Sequence, residues 1–192
     1  MPFFTPQIHN YMFYFITFLW ILEFVIFRPQ FKGKSYSEKQ SFRTILIVII
    51  TIIGGTILYN QFELFVLPKE THGYFNLIGI TLYVIGILLR YVSSITLGRY
   101  FTRDVEVSSD QQLISTGPYR FLIHPLYLGL FLLVIAVPLY FAQVVWIFGA
   151  LFFFGKVILT RMKSEEKAME ETLGETYTKW RQKRYRFIPW IY

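Results

Sequence analysis

Long apolar runs separated by short polar breaks make up most of the chain. Five runs stand out, at residues 11–27, 44–67, 74–97, 121–140 and 144–160. Each is close to the ~20 residues that a helix needs to cross the ~30 Å hydrocarbon core of a bilayer. The break between the last two is a tight turn around Pro138 and Gln143, so those two runs form a hairpin. The break at residues 99–116 is the one long polar loop. Loops of that length in compact proteins are usually functional or disordered, which makes this one a candidate cap over a site. After residue 160 the period changes. Met169, Leu173, Tyr177 and Trp180 recur at steps of three and four, predicting one amphipathic helix over residues 163–184. Such a helix lies on the membrane surface or folds back over the spans. Gly174 interrupts it at about 1 kcal/mol relative to Ala, and predicts a kink or a close approach.

The predicted architecture is an all-α integral membrane protein of about five transmembrane helices plus a C-terminal amphipathic cytosolic helix. It divides into a three-span region, 1–98, and a second region, 99–192, of loop, two-span hairpin and terminal helix. The first run has no basic leader and no small-residue cleavage site, so it reads as a retained span rather than a signal peptide. Composition agrees: 54% of the 192 residues are hydrophobic and 20% aromatic, too apolar for a soluble domain of this size.

Charge adds orientation. The formal net charge is +7, but in a membrane protein Lys and Arg report first on which loops stay in the cytoplasm, so no nucleic-acid partner is implied. Arg28, Lys32, Lys34, Lys39 and Arg43 follow the first run, and Arg99, Arg103 and Arg120 precede the fourth. Arg161, Lys163, Lys167, Lys179, Arg181, Lys183, Arg184 and Arg186 fill the tail, whereas the intervening breaks hold only Lys69. The bias places the N-terminus outside, and the C-terminus and the loop before residue 117 in the cytoplasm. Four charges fall in or near the runs. Glu23 and Lys156 are near enough to an end to snorkel, and Glu63 lies near the end of the second run. Arg90 is deeper, hence paired or functional, with Glu23 its candidate partner.

Several chemistries are excluded. Without cysteine there is no disulfide, thiolate metal site or cysteine nucleophile. His9, His72 and His124 lack second ligands at helical spacing, so no metal site is expected. No Gly-x-Gly-x-x-Gly or P-loop pattern is present.

What remains is the stretch GPYRFLIHPLYLG at residues 117–129. Pro125 suits the first turn of a helix, where its missing N–H is no loss, and this leaves His124 at the cap. The unpaired N–H groups of that turn favour an anion, to which His124 and Arg120 add donors. Tyr127, three residues on, shares the face of His124. At the far end of the hairpin, Arg161, Glu165 and Glu166 form R-x-x-x-E-E, with Arg161 and Glu165 on one helix face. Singly these are a helix cap and a surface ion pair worth ~0.3–0.5 kcal/mol. A short turn makes the two cytosolic ends neighbours, so His124, Tyr127, Arg161 and Glu165 should converge in one cleft, as small-molecule sites do.

The order and spacing of these pieces resemble the isoprenylcysteine carboxyl methyltransferase family. The matches are Leu97-Gly98, Leu113, Gly117-Pro118-Tyr119-Arg120, His124-Pro125, Tyr127, Gly129, Arg161, Glu165-Glu166, Leu173-Gly174, Tyr177 and Ile188-Pro189. Related phospholipid N-methyltransferases share much of the pattern. The resemblance implies an S-adenosylmethionine-dependent integral membrane enzyme acting on a lipophilic acceptor, an isoprenyl- or alkyl-bearing carboxylate or hydroxyl, or a phospholipid amine. It implies cofactor binding by Gly117, Tyr119, Arg120, His124, Pro125, Tyr127, Glu166 and Tyr177, with Arg161 and Glu165 where cofactor and acceptor meet. It makes residues 99–192 the methyltransferase-like region. Separately from the resemblance, the tail is expected to close on cofactor binding, because it must both admit and cover the cofactor. A carboxylate acceptor needs only orientation, by Arg161. A phenol, thiol or amine must lose a proton, for which Glu165, Glu166 and Tyr177 are candidates. One departure bears on the acceptor: the family usually has Arg before His-Pro, and Ile123 stands there, leaving Arg120 as the alternative source of charge. Two other classes stay open. Membrane sterol reductases, which use NADPH, have a similar G-P-Y and H-P-x-Y stretch but are usually larger. A non-enzymatic membrane scaffold would tolerate loss of Arg161 and Glu165. Oligomeric state is not fixed by the sequence.

Overall fold

The computed structural model describes residues 6–26, 36–98 and 113–188. Most of the long polar loop lies outside the described residues, with Arg28, Lys32, Lys34, Arg99, Arg103 and Pro189, as do the side chains of His9 and Lys39. The described residues are helical and contain no strand, only two isolated bridges. The helices are α1 (Pro6–Ile26), α2 (Tyr36–Gln61), α3 (His72–Leu97), α4 (Pro125–Tyr140), α5 (Val144–Gly149), α6 (Gly155–Leu173) and α7 (Glu175–Arg181). A π turn, Ala150–Phe154, joins α5 to α6. Three stretches are long and apolar enough to cross a membrane: Gln40–Gln61, Lys69–Leu97 and Val144–Leu173. Tyr11–Glu23 and Pro125–Tyr140 are shorter apolar helices. Outward faces carry Phe15, Phe18, Ile47, Ile50, Phe152 and Phe153, all exposed, which is the surface of an integral membrane protein.

The centre is the α3–α4 pair, the most extensive helix contact in the fold. Lipid offers no hydrophobic drive between helices, so close backbone approach over small residues has to hold them. A Cβ on Gly79 would sit 2.6 Å from Tyr140 N, and one on Gly86 would sit 2.9 Å from Gly129 O. A Cβ on Gly129 would meet Arg90 Cγ at 2.6 Å and Gly86 O at 2.9 Å. The two helices run antiparallel. Asn76 Nδ2 donates to Tyr140 O at one end, and Arg90 Nη1 donates to Leu126 O at 3.3 Å at the other.

α1 packs along this pair. The Phe13 ring stacks on Tyr140 at 4.4 Å, and the Tyr91 hydroxyl donates to Leu19 O at 2.8 Å. Glu23 does not snorkel. It is fully buried and receives Arg90 Nε at 2.6 Å and Nη2 at 2.5 Å. A lone charge inside lipid costs several kcal/mol, and pairing with Arg90 on α3 offsets that cost. Lys156 is exposed, as snorkelling requires, and so is Glu63.

Two boundaries differ from the sequence pattern. The fourth run was expected to start near residue 121, but α4 begins at Pro125 because Phe121 and Ile123 use their backbone groups on Tyr185. The predicted single helix over residues 163–184 is broken: Gly174 has φ +53°, a left-handed conformation suited to glycine, and α7 departs from it. No close approach requires that glycine, since nothing lies within 4 Å of its missing Cβ.

Gly129→Ala should lower stability by about 1–3 kcal/mol, because Arg90 and the α3 backbone have nowhere to move. Gly54→Ala, where nothing lies within 4 Å, should leave it equal or raise it by up to ~1 kcal/mol. Thermal unfolding of both variants in detergent checks the contrast.

Candidate functional site

The end of α3 receives a single 3-10 turn, Gly117–Arg120. Gly117 has φ +53°, and a Cβ there would lie 2.8 Å from Thr96 Oγ1, so this position excludes side chains twice over. The chain then runs beside its own tail. Ile123 N donates to Tyr185 O and Tyr185 N to Phe121 O, each at 2.9 Å, a parallel bridge centred on Leu122 and Tyr185. Arg184 fastens the same junction, with Nε donating to Tyr119 O at 2.7 Å and its guanidinium 4.2 Å above the Trp180 ring. Trp180 Nε1 donates to Ser115 Oγ at 3.0 Å.

His124 is the N-cap of α4 and Pro125 its first residue, as expected. The imidazole is buried and does not cap the helix. It turns toward α6, where its Nε2 lies 3.0 Å from Glu166 Oε1. An ionised carboxylate only accepts, so Nε2 carries the proton. Glu166 is a hub. It is 2% exposed, and it also receives Arg186 Nε at 2.6 Å, Arg186 Nη2 at 2.5 Å and Arg181 Nη1 at 3.4 Å. Arg181 pairs with Glu170 at 2.5 Å as well.

Beside the hub, the Tyr127 hydroxyl donates to Glu165 Oε2 at 2.7 Å and accepts from Arg161 Nε at 3.3 Å. The phenol thus stands between the acid and the guanidinium that four-residue spacing places on one face. The rings of His124 and Tyr127 are 5.5 Å apart. The register of α6 explains why both clusters form here. Ala150, Phe154, Ile158 and Met162 are buried on one stripe, and the stripe continues into Arg161, Glu165 and Glu166. One helix face changes from apolar to charged as it passes the end of the α3–α4 pair.

Two phenols border the carboxylates. Tyr177 is 2% exposed and stacks on Trp180 at 5.9 Å. Burial pushes its phenol well up, and the nearby Glu166 and Glu165 charges push it further. Tyr119 is raised in the same way by burial and by Glu165, with Arg90 opposing. Both stay protonated at neutral pH. Tyr177 is therefore held as a neutral phenol beside the two carboxylates.

The expected convergence of His124, Tyr127, Arg161 and Glu165 is found, with Glu166 and Tyr177 beside them. Arg120 is placed elsewhere: it is exposed, its guanidinium 5.5 Å from the Phe121 ring. The cations that reach the buried carboxylate come from Arg181 and Arg186, which sequence reasoning had counted only as cytosolic charge. Among the described residues no group of three or more His, Cys, Asp or Glu is placed to hold a metal ion.

Comparison with known proteins points the same way. Residues 78–171 match the model of the isoprenylcysteine carboxyl methyltransferase (ICMT) family. A protein-S-isoprenylcysteine O-methyltransferase of Saccharomyces cerevisiae is 27% identical over 161 residues, covering 83% of this chain and 65% of that protein. Protein-S-isoprenylcysteine O-methyltransferase B of Arabidopsis thaliana is 25% identical over 133 residues, 64% of this chain and 63% of its own. An uncharacterised Bacillus subtilis protein, YpbQ, is 26% identical over 95 residues, 49% of this chain and 56% of its own. The matches thus span 56% to 65% of these relatives' own length, less than two thirds of each. The chain is similar to the ICMT family over that stretch, which includes His124, Tyr127, Arg161, Glu165 and Glu166.

Glu166→Gln removes the charge that holds His124, Arg181 and Arg186, and should loosen the tail by about 2 kcal/mol. That is roughly a thirtyfold gain in the open fraction. Limited trypsinolysis should then cut after Lys183, Arg184 and Arg186 correspondingly faster than in the wild type.

Proposed function

We propose that this chain, carrying the ICMT pattern over residues 78–171, is an integral membrane methyltransferase. In this reading it uses S-adenosylmethionine and methylates a lipophilic acceptor. The names of its relatives favour the carboxylate of an isoprenylcysteine, with other isoprenyl or alkyl carboxylates or hydroxyls in the same class. The observation that carries the reading is the cluster of Tyr127, Glu165 and Arg161 beside the Glu166 hub, at one end of α4 and α6.

The residues fit the cofactor. It has a cationic sulfur, an amino group, a carboxylate and an adenine. Glu165 would meet the positive groups, the cations around Glu166 and Glu170 would meet the carboxylate on exchanging those partners, and the stacked Tyr177 and Trp180 would meet the ring. Gly117, Tyr119, His124 and Pro125 would line the α4 side, without Arg120, which is exposed. When bound, S-adenosylmethionine supplies an activated methyl group with its own leaving group, so the protein has mainly to position. Arg161 would hold an acceptor carboxylate through its planar fork, with the Tyr127 hydroxyl fixing its orientation. For a hydroxyl acceptor, Glu165 is the proton acceptor within reach of Tyr127. The site would face the cytoplasm, with the N-terminus outside and five helices crossing. A lipid tail would stay in the bilayer while the polar cofactor enters from water.

Calorimetric titration of the detergent-purified protein with S-adenosylhomocysteine, with NADPH alongside, tests the reading. Saturable binding of the former, at least tenfold weaker in His124→Ala, is expected. Binding of NADPH alone would make the chain a reductase, and binding of neither by a folded sample would leave a scaffold. With labelled methyl donor and an isoprenylcysteine analogue, Arg161→Lys and Glu165→Gln should each reduce kcat at least tenfold, matching loss of one charged hydrogen bond of ~1.5–3 kcal/mol.

A further inference from the structure

The Glu23–Arg90 pair carries one bond more than charge balance requires. Glu23 takes Nε and Nη2 of Arg90, which already neutralises the guanidinium. The remaining nitrogen, Nη1, donates to Leu126 O at 3.3 Å. Leu126 lies in the first turn of α4, between the His124 cap and Tyr127. The Arg90 stem fills the space that Gly129 leaves, one turn further along the same helix. Next to Arg90, the Tyr91 hydroxyl donates to Leu19 O, so α1 is clamped to α3 by two neighbouring residues.

We propose that Glu23 and Arg90 position the first turn of α4. By this account α1, which lies wholly outside the stretch matching the ICMT family, helps to assemble the site. Glu23 orients the guanidinium, and the guanidinium fixes the Leu126 carbonyl. That carbonyl sets where the adjacent Tyr127 hydroxyl stands between Glu165 and Arg161. Both are positioning residues. Neither touches Glu165, Glu166 or Arg161 in any bond described above. The effect on turnover rests on the methyltransferase reading; the effect on α4 does not.

Arg90→Lys keeps a cation for Glu23 and gives up the planar fork that also reaches Leu126. The double variant Glu23→Gln, Arg90→Met removes both charges together, leaving no unpaired ion in lipid, and serves if the first variant fails to fold. Amide hydrogen exchange over residues 126–131 in detergent micelles is measured with thermal unfolding. Exchange there should rise at least tenfold in either folded variant, while α2 is unchanged. With labelled methyl donor, kcat should fall at least tenfold and the KM for S-adenosylmethionine should move less than threefold. A folded variant with wild-type exchange in α4 and wild-type kcat would reduce the pair to a structural tie and overturn the proposal. If the wild type neither binds S-adenosylhomocysteine nor turns over, the enzymatic reading fails, and the exchange measurement still decides whether the pair holds α4.

Discussion

Everything at the site depends on how closely α3 and α4 approach. Three glycines leave no room for a Cβ between the two backbones. In lipid, where neighbouring tails are as apolar as leucine, this contact is the main attraction available to the pair. It also sets distances. With the helices this close, Arg90 on α3 reaches a carbonyl in the opening turn of α4. That turn then presents His124 and Tyr127 to α6. A wider crossing would leave the arginine short of its acceptor and the two rings short of the carboxylates.

The second organising element is the charge of Glu166. A carboxylate this buried is tolerable only with its lone pairs taken up, and an imidazole and two guanidiniums do so. These donors come from the cap of α4, from α7 and from the returning tail. One acid therefore ties three segments together at a single point. The same logic applies within the membrane-facing half, where Glu23 and Arg90 satisfy each other between α1 and α3. Polar pairing in this protein supplies the long-range ties, and apolar packing supplies the bulk.

Much of this was legible in the sequence. His124-Pro125 marked the start of α4, because a proline's missing N–H is no loss in a first turn. The tight break, expected around Pro138 to Gln143 and found at residues 141–143 with Pro138 still inside α4, brought α4 and α6 together, so His124, Tyr127, Arg161 and Glu165 could be grouped unseen. Arg90 stood out because a charge deep in an apolar run needs a partner, and Glu23 was the available acid. The snorkelling assigned to Glu23 failed because hydropathy does not show which way a side chain faces. The tail was harder. Its stripe of Met169, Leu173, Tyr177 and Trp180 predicted one helix, but the left-handed turn at Gly174 split it. Arg181, Arg184 and Arg186 act across contacts far apart in sequence, which no local period reports.

The short α4 has a geometric consequence. Its 16 residues amount to ~24 Å of helix, against ~30 Å of hydrocarbon in a typical bilayer. With its far end anchored at Tyr140 beside the start of α3, the His124 end stops below the plane that longer neighbours reach. On the proposed topology, the polar cluster would sit recessed from the surface that the longer helices reach. The lipid tail of a proposed acceptor would then stay submerged as its polar end met the cluster, and each methylene so kept would spare ~0.8 kcal/mol of extraction work.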